Sequence, residues 1–262
     1  MQAIILATSE TGTLSPLSES TPTGMLPLLS RPLMVGAIEQ LAYQGIKSVI
    51  ISLYHLPGSI EAYFGNGERW NLSLEYTLQK DKWGSAGALK WAENLLTESF
   101  LVFPADQVFE LNIQALHAWH RARQSQITTV IHPRGNGAGI ATNEEGRITA
   151  IHPHPDPASS LAASTGIFLC EPEILASIPA RTVFDITTDL LPLLLQQGVP
   201  VYGYPLSDFW HPIYTFKDFQ AAHWNYLQHL EADSTADHRP VHPAISLRAR
   251  RVAQGIWVGR NT

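Results

Sequence analysis

Residues 2–33 read QAIILATSETGTLSPLSESTPTGMLPLLSRPL. The opening run Ala3-Ile4-Ile5-Leu6 is short and wholly apolar, which predicts a buried strand over Ala3–Ala7. A helix-like stretch, Leu33 to Tyr43, follows the intervening loop. A loop that leaves the first strand of an α/β domain for a helix is a common phosphate grip, because N–H groups converge there. Such loops carry glycines for close backbone approach and a Lys or Arg for charge. This one is rich in Ser and Thr, has no basic residue between Leu6 and Arg31, and carries Glu10 and Glu19. The layout is that of a phosphate grip, without its charge.

Working outward, apolar strands alternate with helical stretches. A helix is expected over Pro32–Gln44, stopped by Gly45, then a strand at Ser48–Leu53 and a short helix at Gly58–Phe64. Leu72–Leu78 reads as a strand, Ala86–Leu96 as a helix, Phe100–Phe103 as a strand, Asn112–Arg123 as a helix and Ile127–His132 as a strand. This repetition predicts a mixed, mostly parallel sheet with helices on both faces. Shorter strands follow at Gly139–Thr142, Ile148–Ile151 and Thr165–Cys170. Two helices, Phe184–Gln197 and Thr215–Leu230, then flank a strand at Val199–Tyr204. The expected division is a domain over 1–230, a polar linker over 231–240 and a distinct segment over 241–262. In that last segment Ile245, Leu247, Val252, Ile256 and Val258 recur in the manner of a hexapeptide-repeat left-handed β-helix. One coil cannot bury its own apolar face, so the segment is expected to be the first coil of a longer stack, cut short here.

Composition narrows the function. The chain has 262 residues, is 45% hydrophobic and carries a net charge of -6, which argues against a nucleic-acid or anionic-membrane surface. The basic cluster Arg248, Arg250 and Arg251 reads as a solvated strand edge. The single cysteine, Cys170, lies in an apolar run and reads as an inert buried thiol, which rules out a disulfide framework and fits a reducing cytoplasm. No signal peptide is visible, and no apolar run approaches the roughly 20 residues of a membrane span.

The order of segments resembles the sugar-phosphate nucleotidyltransferases of the mannose-1-phosphate guanylyltransferase and glucose-1-phosphate thymidylyltransferase type. The opening matches in its scaffold: Leu14, Pro16, Leu17, Pro22, Met25, Leu26, Pro27, Pro32 and Leu33. Gly45-Ile46, the Tyr63–Gly67 run, Gly84-Ser85-Ala86-Gly87-Ala88-Leu89, Gly146-Arg147-Ile148, Glu171-Pro172-Glu173 and Asp189-Leu190-Leu191-Pro192 fall in register with it over residues 1 to 230. The resemblance implies a Rossmann-like nucleotidyltransferase domain. It also implies a reaction in which a sugar phosphate attacks a nucleoside triphosphate and pyrophosphate leaves. That chemistry needs cations, since charge spreads over phosphate oxygens.

On this resemblance the family's cationic positions are empty of charge. Its loop arginine corresponds to Thr13, its loop lysine to Thr23, and the lysine of its E-K-P motif to His154. One metal aspartate matches Asp106. The other, in a W-x-D motif, corresponds to Pro212. The asparagine of a sugar contact corresponds to Ser164. No catalytic residue is therefore expected, no cofactor, and no metal beyond Asp106 as a relic ligand, with Mg²⁺ required only if the chain is active. Residual nucleotide contacts fall on Gln79, Gly84, Ala86, Gly87 and Asp106. Trp83, Phe209 and Trp210 read either as a protein-binding rim or as plugs of a vacated cavity.

Other readings of these residues stand beside the functional ones. Asp106 also fits a loop aspartate capping a turn. His152 and His154 fit an exposed Pro-rich turn as well as a metal site. Of His117 and His120, one is expected to pack and the other to be solvated. The resulting expectation is a catalytically inactive subunit acting on a protein partner, either an active paralogue or a second copy. The competing readings are an active transferase with a rewired site and a sugar-nucleotide sensor.

Overall fold

The computed structural model describes residues 1–8, 14–133, 135, 137–155, 160–233, 249–253 and 256–259. Strand β1 is Gln2–Ala7, buried from Ala3 onward. The loop that follows carries a four-residue helix α1 (Leu17–Ser20), a turn at Thr23–Met25, and a small antiparallel ribbon of β2 (Pro27–Leu28) and β3 (Arg31–Pro32). Helix α2 is Met34–Tyr43, β4 Ser48–Leu53, α3 Pro57–Phe64 and β5 Ser73–Leu78. Next come α4 (Gly84–Trp91), β6 (Phe100–Pro104), β7 (Gln107–Phe109), α5 (Ile113–Ala122) and β8 (Ile127–His132). The second half holds β9 (Gly139–Thr142), β10 (Ile148–His152), β11 (Ala162–Cys170), α6 (Leu191–Gln196), β12 (Val201–Pro205), β13 (Trp210–Pro212) and α7 (Phe216–Asp233).

Nine strands form one sheet along the path β10-β9-β11-β6-β1-β4-β5, with β8 beside β11 and β12 beside β8. The β6-β1-β4-β5 block is parallel throughout, as βα connections demand. Strand β11 runs antiparallel to β6, β8 and β9, so the sheet is mixed. Two apolar layers cover it. Alternate residues of β1 divide between them: Ala3 and Ile5 face the layer of α2 and α5, whereas Ile4 and Leu6 face that of α4 and α6.

Some expected elements shift. The segment 184–197 begins with a wide π-type turn at Ile186–Leu190 before α6, because the Asp185 carboxylate takes the Thr187 and Thr188 N–H groups at its start. The polar linker expected from residue 231 is helical as far as Asp233, where α7 ends, and residues 234–240 lie outside the described residues. Of the segment 241–262, expected as the first coil of a β-helix, residues 241–248, 254–255 and 260–262 lie outside the described residues. Strands β14 (Ala249–Ala253) and β15 (Ile256–Gly259) pair antiparallel, with Ala249 opposite Gly259. Among the described residues no helix is long and apolar enough to cross a membrane.

Candidate functional site

The parallel block puts the ends of β1, β4, β5 and β6 on one edge of the sheet, where an open α/β sheet places its ligand. The loop after β1 is clamped there by its own apolar residues. Leu14, Leu26, Leu28 and Leu33 pack with Val108, Ile213 and Ala222, so the scaffold residues of the opening motif form a third small core. Gly24 comes so close to β6's exit that a Cβ on it would sit 3.1 Å from the Ala105 Cβ. Thr23 precedes Gly24 in the chain. Thr23 is 3% exposed, so the position expected to hold a lysine is a buried neutral side chain. Thr13 and Glu10 lie outside the described residues.

Asp106 is also buried, and its carbonyl accepts the Ile213 N–H at 2.9 Å. This bond belongs to a two-stranded ribbon in which Pro212 stands opposite Gln107. The residue that follows Ile213 is Tyr214. Burial first, and then the nearby carboxylates of Asp106 and Asp218, push its phenol up to about 12. Tyr214 is therefore a neutral hydroxyl at physiological pH, not a phenolate ligand. Asp218 itself closes the start of α7. Its Oδ2 accepts the Thr215 N–H and hydroxyl, each at 2.9 Å, while the Thr215 hydroxyl oxygen accepts the Asp218 N–H.

A divalent cation fits this donor set poorly. Mg²⁺ wants several hard oxygens around it. Pro212 offers no side-chain donor, Tyr214 stays protonated, and among the described residues no group of three His, Cys, Asp or Glu side chains could hold a metal. Asp106 stands as the one carboxylate of the expected pair. His152, the last residue of β10, and His154, just beyond it, are both exposed. Ser164 is buried, 3.2 Å from the Thr129 hydroxyl, and its own N–H is bound to the Ala138 carbonyl.

The turn at the start of α4 is built tightly. Gly84 has φ +75°, a left-handed conformation, and a Cβ on it would lie 2.5 Å from the Phe184 carbonyl oxygen. The same oxygen accepts the N–H groups of Ala86 and Gly87 at 3.0 and 3.1 Å, and the Phe184 N–H returns a bond to the Trp83 carbonyl. The Ser85 hydroxyl donates to Asp185 at 2.6 Å. Ala86 and Gly87 were expected to face a nucleotide. Their N–H groups are instead committed to the 182–189 segment that crosses them, a contact no local pattern reveals. Gln79, at the end of β5, is buried, and its Nε2 donates to the Ser52 hydroxyl at 3.1 Å. That bond turns Oε1 to the other side of the amide. Ser52 was not singled out from the sequence, although a serine in the apolar run Ser48–Leu53 was the available signal.

The aromatic candidates separate. Trp210 packs into the core against His132, ring centroids 5.2 Å apart, and its Nε1 donates to the Gln107 Oε1 at 2.7 Å. It fills space as a core residue and presents no outward rim. Phe209 is half-buried and stacks on His229. Trp83 is half-buried, edge-on to Trp91 at 4.8 Å. Of the two helix histidines, His120 is the packed one, between Thr128 and Glu171. Cys170 is fully buried, and burial pushes its thiol well up, as an inert cysteine requires.

Comparison with known proteins agrees with this geometry. The family described as nucleotidyl transferase matches residues 2–229. Over 241 residues the chain is 27% identical to a UTP–glucose-1-phosphate uridylyltransferase of Synechocystis, covering 85% of this chain and 62% of that one. It is 26% identical to a mannose-1-phosphate guanylyltransferase of Mycobacterium tuberculosis, over 84% of this chain and 62% of that one. The chain thus spans about 62% of the length of these relatives. A Bacillus anthracis structure described as a glucose-1-phosphate thymidylyltransferase, in complex with sucrose, superposes with a TM-score of 0.76. It is 24% identical and covers 85% of this chain and 94% of that one, a likeness of fold.

Proposed function

Because the chain belongs to the nucleotidyl transferase family, we propose that it keeps that family's scaffold without its chemistry and works as a regulatory or assembly subunit through protein contacts. The carrying observation is the pair of residues, Thr23 and Pro212, that stand where the resemblance puts a lysine and a second carboxylate. Thr23 is buried, and Pro212 occupies the ribbon position opposite Gln107 where a second carboxylate was expected. Losing one cation at a phosphoryl-transfer site costs on the order of 10³ in rate, and several that act together leave little above background. The loop's intact apolar clamp supports a fold kept for another purpose. The partner of this reading is an active paralogue or a second copy of the chain.

A second reading, an active sugar-1-phosphate nucleotidyltransferase, is favoured by the relatives, which carry the names of working enzymes. Nucleoside triphosphates offered with glucose or mannose 1-phosphate and Mg²⁺, with pyrophosphate release followed, decide between them. No release above the protein-free control is expected. Turnover at about 1 s⁻¹ or faster, within the ordinary range for enzymes, would establish the second reading.

A further inference from the structure

We propose that the recess between the end of α5 and the start of β12 binds a small amino dicarboxylate, a molecule with two carboxylates and one ammonium group. The recess has a volume of about 530 Å³, within the range of small-ligand sites. Arg121, Arg123 and Gln124 form one wall, Glu145 and Tyr202 the other. Strand β12 is parallel to β8, and β8 and β6 are both antiparallel to β11, so β12 points the same way as β6 and β1. Its start, with Tyr202, therefore lies at the opposite edge of the sheet from the β1 loop. The recess is separate from the sheet-edge site and independent of whether that site turns over.

One cation of this recess is held in place. The Arg123 guanidinium stacks on the Trp119 ring, its Cζ 3.3 Å from the ring centroid, and its Nε donates to the Glu145 carbonyl at 3.0 Å. The two terminal nitrogens have no hydrogen-bond partner among the described residues. A guanidinium fixed in this way presents a two-pronged fork with little rotamer freedom left to lose. Arg121, two residues earlier, is exposed, and its side chain makes neither a hydrogen bond nor an ion pair among the described residues. The Glu145 carboxylate is likewise exposed and unpaired among them, although its own carbonyl holds Arg123. Gln124 stands in a left-handed conformation, φ +49°, at the position just past the helix where glycine is usual. A long amide side chain occupies that position against its backbone preference.

The walls therefore offer two guanidinium groups, an amide and one carboxylate, none of which is neutralised within the chain. Two forks call for two carboxylates, since a carboxylate accepts both prongs of one guanidinium. The Glu145 carboxylate calls for a cation. A phosphate answers the arginines with one head and meets repulsion from Glu145. A plain dicarboxylate answers both arginines and leaves Glu145 opposed to its own negative charge. An amino dicarboxylate sets a charge of opposite sign against each of the three.

The full chain is titrated by calorimetry at low ionic strength with L-glutamate, glutarate and inorganic phosphate. L-Glutamate is expected to bind saturably in the millimolar range or tighter, about fivefold more tightly than glutarate or phosphate, the worth of one exposed ion pair. Arg121→Gln removes no contact among the described residues, so it is expected to weaken L-glutamate about fivefold while leaving the unfolding midpoint unchanged. Arg123→Lys keeps the charge without the fork and is expected to weaken binding as well. Glu145→Gln is expected to abolish the preference for L-glutamate over glutarate. Absence of saturable L-glutamate binding, phosphate or glutarate binding as tightly as L-glutamate, or wild-type affinity in Arg121→Gln would each overturn the proposal.

Discussion

Replacing Tyr214 by phenylalanine tests the geometry around Asp106 directly. The tyrosine phenol is held at about 12, against an ordinary value of 10.0, by burial and by the carboxylates of Asp106 and Asp218. A raised folded pKa means that the folded state resists losing the proton. The corresponding stability is complete below the unfolded value and is lost as pH climbs through the folded one. Two pH units at about 1.36 kcal/mol each give ~2.7 kcal/mol, surrendered between about pH 10 and pH 12. Urea unfolding of the wild type and Tyr214→Phe at a series of pH values measures this as a difference, in which other alkaline groups cancel. Near pH 8 the two should differ by about 1 kcal/mol, the cost of a lost hydroxyl contact. Toward pH 12 the wild type should lose ~2–3 kcal/mol relative to the variant. Asp106→Asn should shrink that swing only in part, because burial is the larger cause. Parallel pH curves for wild type and Tyr214→Phe would refute the placement of the phenol in a buried, acidic surround.

Three further outcomes are expected. Gly84→Ala combines a left-handed backbone with a Cβ 2.5 Å from a main-chain oxygen; it should cost on the order of 2–4 kcal/mol in chemical unfolding. His120 has its pKa lowered, chiefly by burial and against the pull of Glu171. Its contribution to stability is complete above the ordinary histidine value of 6.5 and falls as pH drops below that value, so His120→Gln should flatten the acid limb of the stability profile. Pro212→Asp restores a second carboxylate to the ribbon next to Asp106, so millimolar Mg²⁺ should raise the unfolding midpoint of that variant and leave the wild type unchanged.

The sequence by itself determined most of the sheet's strands, because each is a short apolar or alternating run bounded by polar turns and helices. Ser48–Leu53 and Ile127–His132 agree with the structure residue for residue. It also determined the loss of charge from the β1 loop, since a missing lysine or arginine is a property of the chain alone. The apolar clamp Leu14, Leu26 and Leu33 was visible as motif residues, but its counterpart was not: Val108, Ile213 and Ala222 lie far along the chain. The same holds for the ribbon of β7 and β13, three residues each, too short for any period to show. Tertiary structure decided that the Phe184 carbonyl takes the Ala86 and Gly87 amides and that Trp210 is core. Each of these depends on which distant backbone or side chain arrives at a given polar group. Local sequence encodes propensity and hydrophobic period, whereas the pairing of hydrogen-bonding groups is fixed only when the sheet has closed and brought its edges together.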